Sequence, residues 1–143
     1  MKIAIINGPN LNFLGIREPH IYGKETLEDL MHDLNDQFDF VEFAFLQSNH
    51  EGEIIDFIQE SFFDGFDGIV INPGAYAHTS IAIADALKSV PVPAVEVHIS
   101  NVLQREPYRQ HSYTAASCKG VISGLGLKGY EYAVRYLLQY HQA

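Results

Sequence analysis

The stretch Ile3-Ala4-Ile5-Ile6-Asn7-Gly8-Pro9-Asn10 decides how the chain is read. Its apolar run is too short for a helix, and Asn7-Gly8-Pro9 stops it with turn chemistry. Ile3–Asn7 therefore reads as a buried strand. Runs of the same kind recur at Val41–Leu46, Gly68–Asn72, Val92–Val97 and Gly120–Ser123. Between them the apolar spacing changes to that of helices. Leu27, Leu30, Met31, Leu34 and Phe38 share one helical face, and Thr26 with Asp29 forms a capping box in front of them. Ile54, Ile55, Ile58 and Phe62 make a second stripe, opened by Ser48 or Asn49. Ile81, Ala84 and Leu87 follow Thr79-Ser80 as a third, and Tyr130, Val134, Leu137 and Leu138 form the last.

Strands that alternate with helices imply parallel βαβ units joined by right-handed crossovers. Five strands in 143 residues predict an α/β fold, a flavodoxin-like three-layer sandwich on a five-stranded parallel sheet. Residues 1–143 are expected to form a single domain. In such folds ligands bind beyond the carboxyl ends of the strands, where the strand order reverses.

Composition narrows the possible partners. Eighteen acidic and nine basic residues leave a formal charge of −9, which disfavours nucleic acid and anionic membrane surfaces. One or two local cations would still hold a small anion. The single cysteine, Cys118, excludes an internal disulfide and a cysteine-rich metal site, and it reads as a buried or half-buried structural thiol. The opening apolar run is far too short for a signal peptide, and no segment approaches the roughly 18 apolar residues of a membrane span. A cytoplasmic protein without membrane association is expected.

Polar residues gather at the predicted strand ends. The first strand runs into Asn7–Asn10 and then a loop holding Arg17 and Tyr22. The third runs into Asn72-Pro73-Gly74-Ala75-Tyr76-Ala77-His78-Thr79-Ser80. The fourth runs into Glu96-Val97-His98-Ile99-Ser100-Asn101, with Arg105 and Arg109 downstream. Asn, Pro and Gly alone would only make turns, but three donor-rich loops on one edge describe a binding site. The acidic residues that a receiver-type phosphorylation domain needs are replaced by Asn7, Gly8 and Asn72. His78 and His98 stand on different loops with no Asp or Cys at ligand spacing, so no metal is expected. The remaining histidines read as structural or surface residues.

Gly124-Leu125-Gly126-Leu127-Lys128-Gly129 matches GxGxxG but lacks the second strand and downstream acid of a dinucleotide site. A tight turn and close helix–sheet packing are expected there, and no cofactor. A different reading of the strand-end cluster is a non-catalytic binder of FMN or a small anion. FMN would colour the protein yellow.

Taken together, Asn7-Gly8-Pro9-Asn10-Leu11-Asn12, Gly15-Ile16-Arg17-Glu18-Pro19 and Tyr22-Gly23 resemble the signature of the type II 3-dehydroquinate dehydratases, or type II dehydroquinases. So do Ile71–Tyr76 with His78-Thr79-Ser80, Glu96–Val102, and Arg105, Arg109 and His111-Ser112-Tyr113. The likeness covers essentially the whole chain. Ala77, Ala84 and Leu103 depart from residues common in the family, at positions its chemistry does not use.

The resemblance implies reversible loss of water from 3-dehydroquinate to give 3-dehydroshikimate, through an enolate and without metal or cofactor. It implies Tyr22 as the base at C2, Arg17 as the cation supporting its ionisation, and His98 as the acid that protonates the departing C1 hydroxyl. Asn10 would stabilise the enolate, and Asn72, His78, Ile99, Ser100 and Arg109 would bind substrate. Asp85 would reach the site of a neighbouring subunit, in a homododecamer built from trimers.

Elementary chemistry fits these residue types. A tyrosine hydroxyl is almost wholly protonated at neutral pH, so a tyrosinate base needs adjacent cations. Arg17 shares its loop, and Arg105 could close over the same volume. Arginine suits the task because it does not give up its proton. Histidine titrates near neutrality, as a general acid should. Glu96 lies two residues before His98, on the same strand face, and could orient the imidazole.

Overall fold

The computed structural model describes residues 1–142. Its sheet is parallel throughout, in the order β2-β1-β3-β4-β5. The strands are β1 (Lys2–Asn7), β2 (Glu42–Gln47), β3 (Gly68–Asn72), β4 (Ala94–His98) and β5 (Gly120–Ser123). The helices are α1 (Pro19–Tyr22), α2 (Leu27–Gln37), α3 (Glu51–Phe63), α4 (Ile81–Ser89) and α5 (Lys128–Gln142). No described helix is long and apolar enough to cross a membrane.

Alternation along the strands divides the core into two layers. Ile3, Ile5, Val70, Val95 and Val97 face α2 and α5, meeting Leu30, Leu34, Tyr130, Val134 and Leu137. Ala4, Ile6, Ile69 and Ile71 face the other way, onto Ile54 and Ile58 of α3 and Ile83, Ala86 and Leu87 of α4. The three-layer sandwich expected from the sequence is the fold observed.

The capping box of α2 is present, with Thr26 accepting from the Asp29 N–H and Asp29 accepting from the Thr26 N–H. Three local expectations need correction. Phe62 does not share the inward face of α3: it is exposed, and Ser61 is buried on that face with Ile54 and Ile58. Neither Ser48 nor Asn49 caps α3; His50 holds that position without a side-chain bond. Ser48 instead accepts the His50 N–H, and Asn49 Oδ1 accepts the Asn10 N–H at 3.0 Å. In α4 the inward face is Ile83, Ala86 and Leu87, while Ile81 is exposed. Ser80 caps the Ile83 N–H and so sets the helical phase.

Register delivers Asn7 and Asn72 side by side at the carboxyl edge, and the order 2-1-3-4-5 puts the reversal between their strands. The two following loops nearly touch. A Cβ on Gly8 would lie 2.3 Å from the Pro73 carbonyl oxygen, so only glycine fits there.

Candidate active site

The pocket opens where the strand-order rule places it. It is a cavity of about 170 Å³ at the ends of β1, β3 and β4, roofed by the loop that carries α1. A cavity near 150 Å³ holds one six-membered carbon ring, so the space suits a small cyclic molecule. Arg17, Arg105 and Arg109 line it together with His78 and His98, and none of its lining residues is a carboxylate. A chain with a formal charge of −9 thus presents a cationic interior here.

On the sheet side, β4 carries Glu96 and His98 on one face, 0% and 7% exposed. His98 Nε2 lies 2.8 Å from Glu96 Oε2. Ser112 Oγ donates to the same oxygen at 2.9 Å, and the Thr114 hydroxyl donates to Oε1. Burial pushes the Glu96 carboxyl up, but the hydrogen bonds of His98, Thr114 and Ser112 outweigh it and hold it below the usual carboxylate range. The His78 ring stacks beside that of His98, centroids 6.1 Å apart, with Nδ1 2.7 Å from the His111 carbonyl oxygen.

Asn72 is held just as firmly. Its Oδ1 accepts the Gly74 N–H at 3.1 Å, which fixes the carboxamide with Nδ2 toward the Tyr130 hydroxyl at 2.9 Å. Tyr130 donates onward to Asn7 Oδ1. Tyr130 is wholly buried, and that burial pushes its hydroxyl well above the ordinary tyrosine value.

The opposite side is made of loop. Tyr22 ends the four-residue helix α1, and Arg105 Nη1 donates to its hydroxyl at 2.6 Å and to Ser100 Oγ at 3.4 Å. The guanidinium groups of Arg17 and Arg105 both stand 5.3 Å from the Tyr22 ring centre. A guanidinium only donates, so the Tyr22 oxygen must accept. Arg109 pairs with Glu106 at the rim. Burial opposes the Arg109 charge, but the Glu106 carboxylate outweighs it and raises its proton affinity.

Ten of the twelve residues singled out in the sequence line this one cavity. Asn10 does so from a left-handed backbone conformation (φ 69°), and Ile99 and Ser100 follow directly after His98. Glu96 lies behind His98, and Asp85 is exposed on α4 away from the cavity. Sequence reading did not find the grip of Ser112 and Thr114 on Glu96. Their separations of 16 and 18 residues from Glu96 follow no period that a sequence would display.

Among the described residues no group of three or more His, Cys, Asp or Glu could hold a metal. The GxGxxG segment does structural work. Gly124, at φ 89°, lets Asn101 pack against its backbone, and a Cβ on Gly129 would crowd Val97 at 3.1 Å.

Fold and pocket together define a flavodoxin-like α/β protein with a cation-lined cavity at the switch point of its sheet. Residues 1–138 match the family described as Dehydroquinase class II, and the chain belongs to that family. It is 52% identical over 145 residues to the 3-dehydroquinate dehydratase of Fusobacterium nucleatum subsp. nucleatum, covering 99% of each chain. It is 57% identical to that of Clostridium acetobutylicum over 91% of each. The crystal structure of the type II dehydroquinase from Butyrivibrio crossotus superposes with a TM-score of 0.94 at 57% identity, over 96% of this chain and 97% of that one.

Proposed function

We propose that the chain is a 3-dehydroquinate dehydratase, a hydro-lyase acting as one catalytic domain, in which Tyr22 and His98 share the proton transfers. The observation that carries the reading is the pairing of Arg105 with the Tyr22 hydroxyl on one side of the cavity and of Glu96 with His98 on the other. Tyr22, as the phenolate that Arg105 and Arg17 stabilise, takes the C2 proton and leaves an enolate. Asn10 stabilises the enolate oxygen. His98 donates a proton to the C1 hydroxyl, the C1–O bond breaks, and water leaves as the enolate electrons form the conjugated double bond. Asn72, His78, Ile99, Ser100 and Arg109 hold the carboxylate and hydroxyl groups of the substrate. The cationic lining suits an anionic acid.

Asp85 is exposed on α4 and lies outside its own chain's cavity, so a role at a pocket would be at that of a neighbouring subunit, as the family resemblance implies. We infer a cytoplasmic homododecamer built from trimers. Light scattering on active protein tests it, and a fully active monomer overturns it.

The activity is tested by adding 3-dehydroquinate and following the ultraviolet absorbance of the conjugated enone. Folded protein that gives no product refutes the reading. His98→Asn should lose about 10²- to 10⁴-fold in kcat while still exchanging the C2 proton with solvent. Unchanged turnover would remove His98 from the mechanism.

A further inference from the structure

The segment His111–Thr114 touches both pocket histidines through different contacts. The His111 carbonyl oxygen meets His78 Nδ1 at 2.7 Å, and the Tyr113 N–H donates to the Ala77 carbonyl, next to His78, at 2.7 Å. Ser112 and Thr114 then bind both oxygens of Glu96, the partner of His98.

The direction of each bond can be worked out. The Ala115 N–H donates to Ser112 Oγ at 3.1 Å, so the hydroxyl proton of Ser112 is free to go to Glu96 Oε2. Thr114 is 0% exposed, and its proton goes to Oε1, since an ionised carboxylate can only accept. Glu96 therefore receives Thr114 on one oxygen, and Ser112 and His98 Nε2 on the other. A carboxylate that already accepts from two hydroxyls has little affinity for a proton of its own. The proton between Glu96 and His98 stays on the imidazole, and the ring is turned so that Nδ1 is the nitrogen without a protein partner among the described residues.

We propose that Thr114, supported by Ser112, is a positioning residue that acts through Glu96 to fix the orientation and proton placement of His98. The proposal rests on the reading of His98 as the acid. Thr114 and Ser112 do not line the cavity. Their contribution is to keep Glu96 anionic and in one rotamer, so that His98 meets the leaving hydroxyl without reorganising.

Thr114→Val keeps the volume and removes the hydroxyl. It should lower kcat for dehydration about 10- to 100-fold, the size of a lost hydrogen bond to a charged group, with KM within about twofold. Exchange of the C2 proton with deuterated solvent should continue at the wild-type rate, because that step uses the Tyr22 side of the pocket. Thr114→Ser restores the donor and should restore turnover. A residue needed only for structure would slow exchange and dehydration together. Such a parallel loss, or wild-type kcat in Thr114→Val, overturns the proposal. Should Thr114→Val not fold, Ser112→Ala provides the same split from a half-buried position, and an unaffected kcat there counts against it. His98→Asn separates the two readings. If it retains dehydration, the assignment of the acid has failed; if it is inactive while Thr114→Val is not, only the present proposal has.

Discussion

The two sides of the pocket are built from different material. Glu96, His98, Asn72 and Thr114 are buried, and each is tied to partners within the sheet or the layer packed on it. Arg17 and Glu18 are exposed, Glu18 sits in a left-handed backbone conformation at φ 42°, and Tyr22 ends a single helical turn. The inner wall is held by its own hydrogen bonds. The outer wall depends on one cross-strut, Arg105 to Tyr22, between segments 83 residues apart. On the proposed reading, an acid on a rigid strand and a base on a loop would let substrate enter on the loop side without disturbing the buried charge.

The largest effect expected on this contrast comes from Tyr22→Phe. Removing the base should lower kcat by about 10³-fold or more and stop C2-proton exchange as well, with the melting temperature barely changed. A steady-state assay beside exchange measured by NMR checks it. Surviving exchange would move the base away from the loop.

Arg105→Lys comes next. Lysine keeps the charge but loses the fork that reaches both Tyr22 and Ser100, so kcat should fall about 10- to 100-fold. The strut ties one loop to another and holds no strand of the sheet in place. Here circular dichroism and thermal denaturation should match wild type, and a large drop in stability would erase the distinction between the walls.

The inner wall should be visible instead in stability against pH. The Glu96 carboxyl is held below its ordinary value of 4.5 by hydrogen bonds from His98, Thr114 and Ser112 that outweigh its burial. The linkage sign is then fixed. Its contribution to stability is present above the unfolded value and is lost as pH falls through the lower folded one. Urea titrations from neutrality down to acid pH should show Glu96→Gln losing less stability across that window than wild type. Equal losses would place the acid sensitivity elsewhere.

These differences also mark what was legible in the sequence. Short apolar runs ending in Asn-Gly-Pro or Asn-Pro-Gly announce buried parallel strands, and the periods of α2 and α5 were clear enough to assign their inward faces. Most of the cavity followed from the strand-end rule with the family resemblance. The phase of α4 was missed because Ile81 and Ile83 are equally apolar in sequence, and the Ser80 cap decides between them. Ser48 and Asn49 looked like caps because their chemistry allows it, but Ser48 turns onto its near neighbour His50 and Asn49 is taken by the Asn10 N–H of a distant loop. Ser112 and Thr114 were invisible as partners of Glu96, since a loop of irregular backbone brings them there.

The smallest effect lies behind the inner wall, at Cys118. Burial first, and the Glu96 charge second, push its thiol up to about 12. At pH 8 about one molecule in ten thousand would then carry a thiolate, against roughly a quarter for a free cysteine of ordinary value. The folded protein should resist iodoacetamide over times that fully alkylate the urea-unfolded chain, as mass spectrometry would register. Glu96→Gln removes the lesser cause and leaves burial in place, so alkylation should speed up only slightly. A large acceleration in that variant would show that the charge of the wall, rather than its dryness, is what the thiol feels. Rapid labelling of the wild type would mean that the layer behind Glu96 opens far more readily than the packing around it implies.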